Sequence, residues 1–222
     1  MIKIGIDVGS TTAKLVAVDE NDNLLFSKYE RHNAKAKETI LSFLKELLSE
    51  IGDKDISVRI TGSIGMGISE KCSLPFVQEV VAAAKAIQKD YSHVTSMIDI
   101  GGEDAKVVFF NDAEATDLRM NGNCAGGTGA FIDQMAIILG VNIDELNQLA
   151  MNATQVYPIA SRCGVFCKTD IQNLIAKNVS RENIAASIFR AVAVQTVVTL
   201  AHGCDITTPV LFCGGPLTFI PA

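Results

Sequence analysis

Hydrophobic and polar positions alternate at the start of the chain. Isoleucine occupies positions 2, 4 and 6, with lysine and glycine between them and aspartate after them. A period of two is typical of a strand with one buried face. No charged and apolar leader precedes this strand, so the pattern also predicts a cytoplasmic protein without a signal peptide.

The same pattern returns 92 positions later, which indicates an internal repeat. Residues 6–16 align with residues 98–108, and six of the eleven positions are identical. Each copy has an apolar run, an aspartate shortly before a glycine, and a second apolar run, which is typical of a β-hairpin. A third related turn occupies residues 211–215. The repeat predicts two halves of similar α/β fold, residues 1–94 and 95–222, whose hairpin tips converge on a ligand in a cleft.

Apolar residues at three- and four-residue spacing predict helices between and after the hairpins. These helices are expected near residues 37–51, 75–91, 128–140, 143–151, 166–177 and 181–202. A strand is predicted near residues 57–61, before a glycine-rich turn at Gly62, Gly65 and Gly67. Residues 191–201 are too few to span a bilayer and include Gln195, so they are predicted to form a buried helix.

Composition restricts the choice of partners. The 222 residues are 48% hydrophobic and 20% charged, as in ordinary soluble globular proteins. There are 19 basic against 25 acidic side chains, a formal net charge of −6. Because no basic stripe supplies the charge that neutralises phosphates, we expect neither a nucleic acid nor a membrane partner.

Both hairpin tips carry groups that suit a nucleotide polyphosphate. The backbone N–H groups of a tight turn and the hydroxyls of Ser10, Thr11 and Thr12 can bind phosphate oxygens. The carboxylates of Asp7 and Asp99 can hold a hydrated Mg²⁺. A plain turn is the alternative for one copy, but two copies in register favour nucleotide binding. Neither a P-loop nor a Rossmann motif is present.

The cysteines fall into two groups. Three stand alone in apolar surroundings and are predicted to be small buried hydrophobic residues: Cys72, Cys204 and Cys213. Three others lie in glycine-rich or polar turns that open helices, where thiolates are stabilised: Cys124, Cys163 and Cys167.

The motifs resemble those of a known superfamily. Residues 5–12 and 98–106, with residues 213–215, resemble the two phosphate motifs and the adenosine motif of the sugar kinase, heat-shock protein and actin superfamily. Within it, residues 123–131 (Asn-Cys-Ala-Gly-Gly-Thr-Gly-Ala-Phe) and 162–166 (Arg-Cys-Gly-Val-Phe) resemble the ATP-dependent activators of 2-hydroxyacyl-CoA dehydratases. These activators are related to subunits of benzoyl-CoA reductase. The resemblance implies an actin-like ATPase fold of two RNase H-like halves with mixed sheets, facing across a nucleotide cleft.

The resemblance also implies cofactors and partners. It implies a cytoplasmic homodimer that carries one 4Fe-4S cluster on its two-fold axis, held by Cys124 and Cys163 of each chain. It implies ATP hydrolysis, with ATP/ADP and Mg²⁺ bound, and transfer of one low-potential electron to a dehydratase or reductase component. An electron donor such as ferredoxin or flavodoxin is expected, in an anaerobe. Independently, a 4Fe-4S cluster takes four thiolates, and a symmetric dimer supplies four from two per chain.

The expected roles of the nucleotide residues follow the motifs. Asp7 and Asp99 organise Mg²⁺, and Glu103 or Asp104 orients the attacking water. The phosphates are held by Gly9, Ser10, Thr11, Thr12, Lys14, Asp99, Gly101 and Gly102. Gly214 and Gly215 lie against the adenosine.

Several alternatives stay open at this point. Three interpretations of Cys167 are open: an alternative ligand, a bystander, or part of a site for another metal. A zinc site formed by Cys163, Cys167 and a histidine is a weaker alternative. The histidines are otherwise expected at the surface or in packing. A small-molecule kinase would use Asp99 or Asp104 as its base, and a non-catalytic actin-like assembly module is a third option. Superfamily members continue beyond the adenosine motif, so we expect a truncated chain or one module of a larger polypeptide.

Overall fold

The structure is a computed structural model that describes residues 1–111, 114–121, 126–161 and 163–222. The chain forms two compact units, Met1–Lys89 and Asp90–Ala222. Each unit contains a four-stranded mixed sheet, and the two sheets have the same topology.

The first unit is built on a hairpin that is extended on both sides. Its elements are β1 (Ile2–Val8), β2 (Thr12–Val18), β3 (Leu24–Arg31), α1 (Ala36–Ile51), β4 (Ile56–Thr61), α2 (Gly65–Cys72) and α3 (Glu79–Asp90), which ends at the boundary between the units. The strand order is β3-β2-β1-β4. Strand β2 is antiparallel to both β1 and β3, whereas β4 lies parallel to β1.

The second unit repeats this sheet and adds helices before the last strand. Its elements are β5 (Ser96–Ile100), β6 (Ala105–Asn111), β7 (Glu114–Met120), α4 (Gly129–Leu139), α5 (Ile143–Met151), α6 (Gly164–Ala176), α7 (Arg181–Gln195), a π-helical segment (Thr196–Ala201), β8 (Val210–Cys213) and α8 (Gly215–Phe219). The order is β7-β6-β5-β8, with β8 parallel to β5.

Each unit has its own hydrophobic core. In the first unit the alternating residues of β1 point to one side, where Ile40, Phe43 and Leu47 of α1 cover the sheet at helical spacing. In the second unit, β5 and β6 pack against α4 and its helical neighbours, with Phe131 and Ile188 in the same buried cluster. Two separate cores allow each hairpin to be held by its own unit.

Most predicted elements are present, with differences that have local causes. Gly65 and Gly67 belong to α2 rather than to a turn. The helix predicted from residue 75 begins at Glu79, because Ile60 of β4 exchanges backbone hydrogen bonds with Pro75 and Val77. The helix predicted over residues 181–202 is α-helical only to Gln195 and then becomes π-helical.

One helix of the described residues, Arg181–Ala201, is long and apolar enough to cross a membrane by length and composition. Of its most apolar 18-residue window, 56% is buried inside the second unit. Such burial is typical of the core helix of a globular protein.

Candidate nucleotide site and candidate cluster site

The first hairpin tip brings a lysine to the aspartate that ends β1. The Gly9 N–H donates to the Thr12 carbonyl over 3.0 Å and closes the turn. Asp7 and Lys14 are register partners, and Lys14 Nζ donates to Asp7 Oδ2 over 2.6 Å. Burial alone would lower the pKa of Lys14, but the charge and hydrogen bond of Asp7 outweigh it and raise that pKa. Lys14 therefore stays charged and neutralises Asp7.

The second oxygen of Asp7 lies in a tight cradle. Among the described residues, neither Asp7 Oδ1 nor the neighbouring Thr61 Oγ1 has a hydrogen-bond partner, although both atoms are buried. Gly62 follows with φ +91°, and a Cβ there would lie 2.6 Å from Asp7 Oδ1. Buried oxygens without partners are unusual. An oxygen-rich pocket that only glycine leaves open fits a hydrated Mg²⁺.

A histidine supports this tip from behind. His32 is buried, and its Nε2 lies 3.0 Å from the Gly9 carbonyl oxygen. Its backbone N–H donates to the Thr11 carbonyl over 3.2 Å. The sequence placed the histidines only at the surface or in packing, and no motif around His32 signals this contact.

The second hairpin tip has the same turn but a different ion pair. Gly101 N–H donates to the Asp104 carbonyl over 2.8 Å, as in the first turn. Lys106 Nζ lies 2.9 Å from Asp104 Oδ2, and only 4% of the Lys106 side chain is exposed. Glu103 is exposed at the tip. The structure therefore holds the Asp104 carboxylate in a fixed position and leaves Glu103 facing solvent.

In both tips the glycine amide is used within the turn. Gly9 and Gly101 donate to Thr12 and Asp104, respectively. A phosphate oxygen must therefore be bound by other groups of each tip, such as the half-buried hydroxyls of Ser10 and Thr11. This narrows the role expected of the two glycines to shaping the turn.

The predicted adenosine turn lies directly beside Asp99. Cys213 ends β8 as the register partner of Asp99, and burial together with the Asp99 charge raises the pKa of Cys213 to about 11. Gly214 has φ +88°, and a Cβ there would overlap the Ile100 carbonyl and lie 2.6 Å from Asp99 Oδ1. Gly214 is thus the counterpart of Gly62, for which the sequence predicts only a place in a glycine-rich turn. Gly215 begins α8.

Backbone hydrogen bonds join the second tip to a helix. Gly129 N–H donates to the Gly101 carbonyl over 2.9 Å, and Ala130 N–H donates to the Gly102 carbonyl over 2.7 Å. These are amides of the first turn of α4, which have no acceptor within the helix. The tip carbonyls therefore cap α4.

Cys163 lies where a thiolate ligand would be stabilised. It is the N-cap residue of α6 and half-buried. It lines a groove of about 530 Å³ together with Gly126 and apolar side chains such as Phe131 and Met135. Cys124 lies outside the described residues. Within the described residues no group of three or more histidine, cysteine or acidic side chains is close enough to hold a metal ion.

The remaining cysteines do not share this environment. Cys167 is completely buried in the core, and burial followed by the Asp170 charge raises its pKa to about 11. This favours the bystander alternative. The prediction that Cys72, Cys204 and Cys213 are buried is wrong, because Cys72 and Cys204 are exposed and Cys213 is half-buried. Cys72 ends a short helix, and Cys204 follows the end of the π-helical segment.

Two units of one topology, each with a carboxylate at the end of its first strand, define an ATPase of the actin-like class. The chain belongs to the BadF/BadG/BcrA/BcrD ATPase family, whose sequence profile matches residues 4–218. The family resemblance and the fold expected from the motifs are therefore confirmed.

Similar proteins are named as dehydratase activators. The (R)-2-hydroxyglutaryl-CoA dehydratase activating ATPase of Acidaminococcus fermentans is 29% identical over 214 residues, which cover 96% of this chain and 82% of the relative. The crystal structure of the A. fermentans (R)-2-hydroxyglutaryl-CoA dehydratase component A matches with a TM-score of 0.87 and 29% identity, over 98% of this chain and 84% of that one. The activator of the 2-hydroxyisocaproyl-CoA dehydratase from Clostridium difficile, with bound ADPNP, matches with a TM-score of 0.84 and 29% identity, over 97% and 81%.

Proposed function

We propose that this protein is an ATP-hydrolysing activator that donates one low-potential electron to a 2-hydroxyacyl-CoA dehydratase or a related CoA-substrate reductase. The observation that carries the proposal is Cys163, the N-cap of α6, in a groove that it shares with Gly126. Cys124 is two residues before Gly126 in the chain. The names of the relatives support the coarser role of a dehydratase-activating ATPase.

The nucleotide part of the proposal rests on the two tips. Asp7 and Asp99 would hold Mg²⁺, which when bound supplies positive charge beside the phosphates. Lys14 donates a hydrogen bond to Asp7 and holds its carboxylate in place, and the Ser10, Thr11 and Thr12 hydroxyls donate to phosphate oxygens. Gly214 and Gly215 leave room for the adenosine. Water attacks the terminal phosphate to give ADP and phosphate.

One acidic side chain of the second tip would orient that water. Asp104 is held by Lys106 at 2.9 Å, so its carboxylate is preorganised as an acceptor. Glu103 is exposed and able to reach solvent directly. Both carboxylates remain candidates for this role.

The redox part requires a second copy of the chain. Cys124 and Cys163 provide two thiolates, and a homodimer provides the four that one 4Fe-4S cluster takes. When bound, such a cluster supplies one-electron transfer at low potential. Unpaired N–H groups at the start of α6 favour negative charge beside Cys163. The exposed side chains of Ile137, Val165 and Phe166 near the groove suit burial in a dimer.

The link between hydrolysis and the thiolates would run through α4. Its first amides bind the carbonyls of Gly101 and Gly102, so a shift of the second tip must displace the start of this helix. The segment that carries Cys124 leads into the same helix start. We propose that ATP turnover thereby alters the surroundings of the cluster, which set its reduction potential.

The other assignments complete the proposal. A ferredoxin or flavodoxin would reduce the activator in the cytoplasm of an anaerobe, and the activator would pass that electron to the dehydratase or reductase component. We propose residues 1–94 and 95–222 as the two halves of the ATPase fold.

Iron and sulfide analysis after oxygen-free purification tests this function. We expect a brown dimer with about four iron and four sulfide per two chains, because four thiolates are available. The Cys163→Ser variant should lose the iron, whereas the matched Cys204→Ser variant, at an exposed thiol, should keep it. A colourless reconstituted wild-type protein would reject the redox function and favour the small-molecule kinase alternative.

A further inference from the structure

The buried imidazole of His32 holds the tip of the first hairpin. Its Nε2 lies 3.0 Å from the Gly9 carbonyl oxygen, and only 4% of His32 is exposed. A carbonyl oxygen only accepts, so the proton of this hydrogen bond must be on Nε2. The other ring nitrogen, Nδ1, is buried and has no hydrogen-bond partner among the described residues. The contact therefore requires one tautomer of the ring.

The backbone around His32 fixes the ring in this place. Its N–H donates to the Thr11 carbonyl over 3.2 Å, and its own carbonyl accepts from Lys35 N–H over 2.7 Å. The intervening Asn33 and Ala34 have φ of +46° and +62°. Left-handed backbone is unfavourable for alanine because its Cβ approaches the following carbonyl oxygen. His32 is thus attached to the tip by its main chain and side chain together, ahead of a strained turn.

The second unit satisfies the same carbonyl in another way. Gly101 lies 92 residues after Gly9, at the matching position of the repeat, and its carbonyl accepts from Gly129 N–H over 2.9 Å. Both tip glycines therefore have a carbonyl held by an outside donor. In the second unit the donor is the amide of a helix, and in the first unit it is an imidazole.

We propose that His32 is a positioning residue for nucleotide binding at the first tip. This rests on the proposed binding of ATP by residues 9–12. The hydrogen bond to Gly9 fixes the turn that presents the Ser10, Thr11 and Thr12 hydroxyls, and losing it lets the turn move. His32 does not touch the nucleotide, because its ring is buried behind the turn.

Two substitutions separate this role from simple packing. Gln carries an amide N–H at about the reach of Nε2, whereas Leu fills space without any donor. We expect His32→Leu to raise the KM for ATP about tenfold with little change in kcat, because a ground-state binding geometry is lost. His32→Gln should stay within about threefold of the wild-type KM, and His93→Leu, at an exposed histidine, should match the wild type.

The outcomes distinguish the proposal from its foundation. A purely structural role would reduce the amount of active protein, and so the apparent kcat, at an unchanged KM, which would overturn the proposal. Equal KM values for Leu and Gln variants would also overturn it. Wild-type protein that fails to bind ADPNP at all would reject the proposed ATP site instead.

A measurement on the unmodified protein decides the matter if the variants do not fold. Nitrogen-15 NMR of the imidazole side chains reports which ring nitrogen carries the proton. We expect Nε2 of His32 to carry a proton. A proton on Nδ1 with Nε2 bare would exclude the hydrogen bond to Gly9 and overturn the proposal.

Discussion

The two hairpin tips share one backbone turn but are attached to their units by different kinds of group. The Gly9 carbonyl is held by a side chain, His32, whereas the Gly101 carbonyl is held by the main chain of α4. A substitution can remove the imidazole donor, whereas every residue except proline keeps the amide donor of position 129. The second tip therefore moves only with its helix, which begins five residues after Cys124.

Lys14 and Lys106, which occupy matching positions of the repeat, differ in their exposure. Lys14 bonds to Asp7 at the strand end and keeps a third of its side chain exposed, whereas Lys106 contacts Asp104 at the tip and is 4% exposed. Asp104 replaces Thr12 of the first copy. In the second pair the lysine is the buried member, because 41% of the Asp104 side chain is exposed. The lysine of the first tip is therefore partly accessible to solvent, whereas that of the second is enclosed.

The largest loss of stability is expected from replacing Gly62 or Gly214, the glycines that pack against the strand ends beside the two tips. Ala in place of Gly62 or Gly214 would overlap the carbonyls of Val8 or Ile100 at positive φ. We expect each to lower the free energy of unfolding by more than about 3 kcal/mol, since strain and clash combine. Gly140→Ala has positive φ and open space, so it isolates the backbone cost of about 1–2 kcal/mol. Denaturant unfolding that ranks all three equally would contradict the predicted clash.

A second prediction concerns the reactivity of Cys213, the register partner of Asp99. The Cys213 thiol, with a pKa of about 11, should stay protonated at pH 8 and become reactive as the pH rises toward that value. We expect its alkylation to be about 100-fold slower than that of exposed Cys72, because thiolate is the nucleophile. Cys167 should react only after unfolding. Peptide mapping of the apoprotein measures the rates, and labelling of Cys213 as fast as that of Cys72 would contradict its raised pKa.

The charged groups of the first tip allow a direct test of catalysis. Asp7→Ala should reduce ATP turnover about 100-fold, because the cation beside the phosphates loses a ligand. The cluster content should be unchanged. Asp22→Ala is the matched control, since the Asp22 carboxylate binds Lys3 and Lys89 at the surface. Phosphate release as fast as in the wild type would remove Asp7 from the proposed site.

The internal repeat predicts the two hairpins, but it does not predict the residues that pack against their tips. A shift of 92 aligns the hairpins, including Asp7 with Asp99 and Lys14 with Lys106, so the paired strands and their register partners follow from sequence. It cannot align Gly62 with Gly214, which are 152 residues apart because helices are inserted before β8. Strands β3 and β7 were not predicted, since these edge strands alternate weakly.

The contacts that hold the hairpin tips could not be predicted from the sequence, for another reason. His32 is a single residue after β3, and its partner is a main-chain carbonyl, which leaves no sequence pattern. Cys72 and Cys204 are exposed, contrary to the prediction, because Cys72 ends α2 and Cys204 follows the π-helical segment. Position on a helix end decided their exposure, and helix ends are the least certain part of a prediction.

The smallest effect should come from crowding the junction of the second tip and α4. A Cβ on Gly129 would lie 3.1 Å from the Gly101 carbonyl oxygen, so that oxygen must shift by a few tenths of an ångström. We expect Gly129→Ala to weaken ADPNP binding about threefold, a change below 1 kcal/mol. Gly67→Ala lies in α2 with nothing within 4 Å, so it should only stabilise its helix. Titration calorimetry on both variants measures this, and equal affinities would show that the tip tolerates movement at α4. The contact between the second tip and α4 would then matter no more for nucleotide affinity than the contact between the first tip and His32.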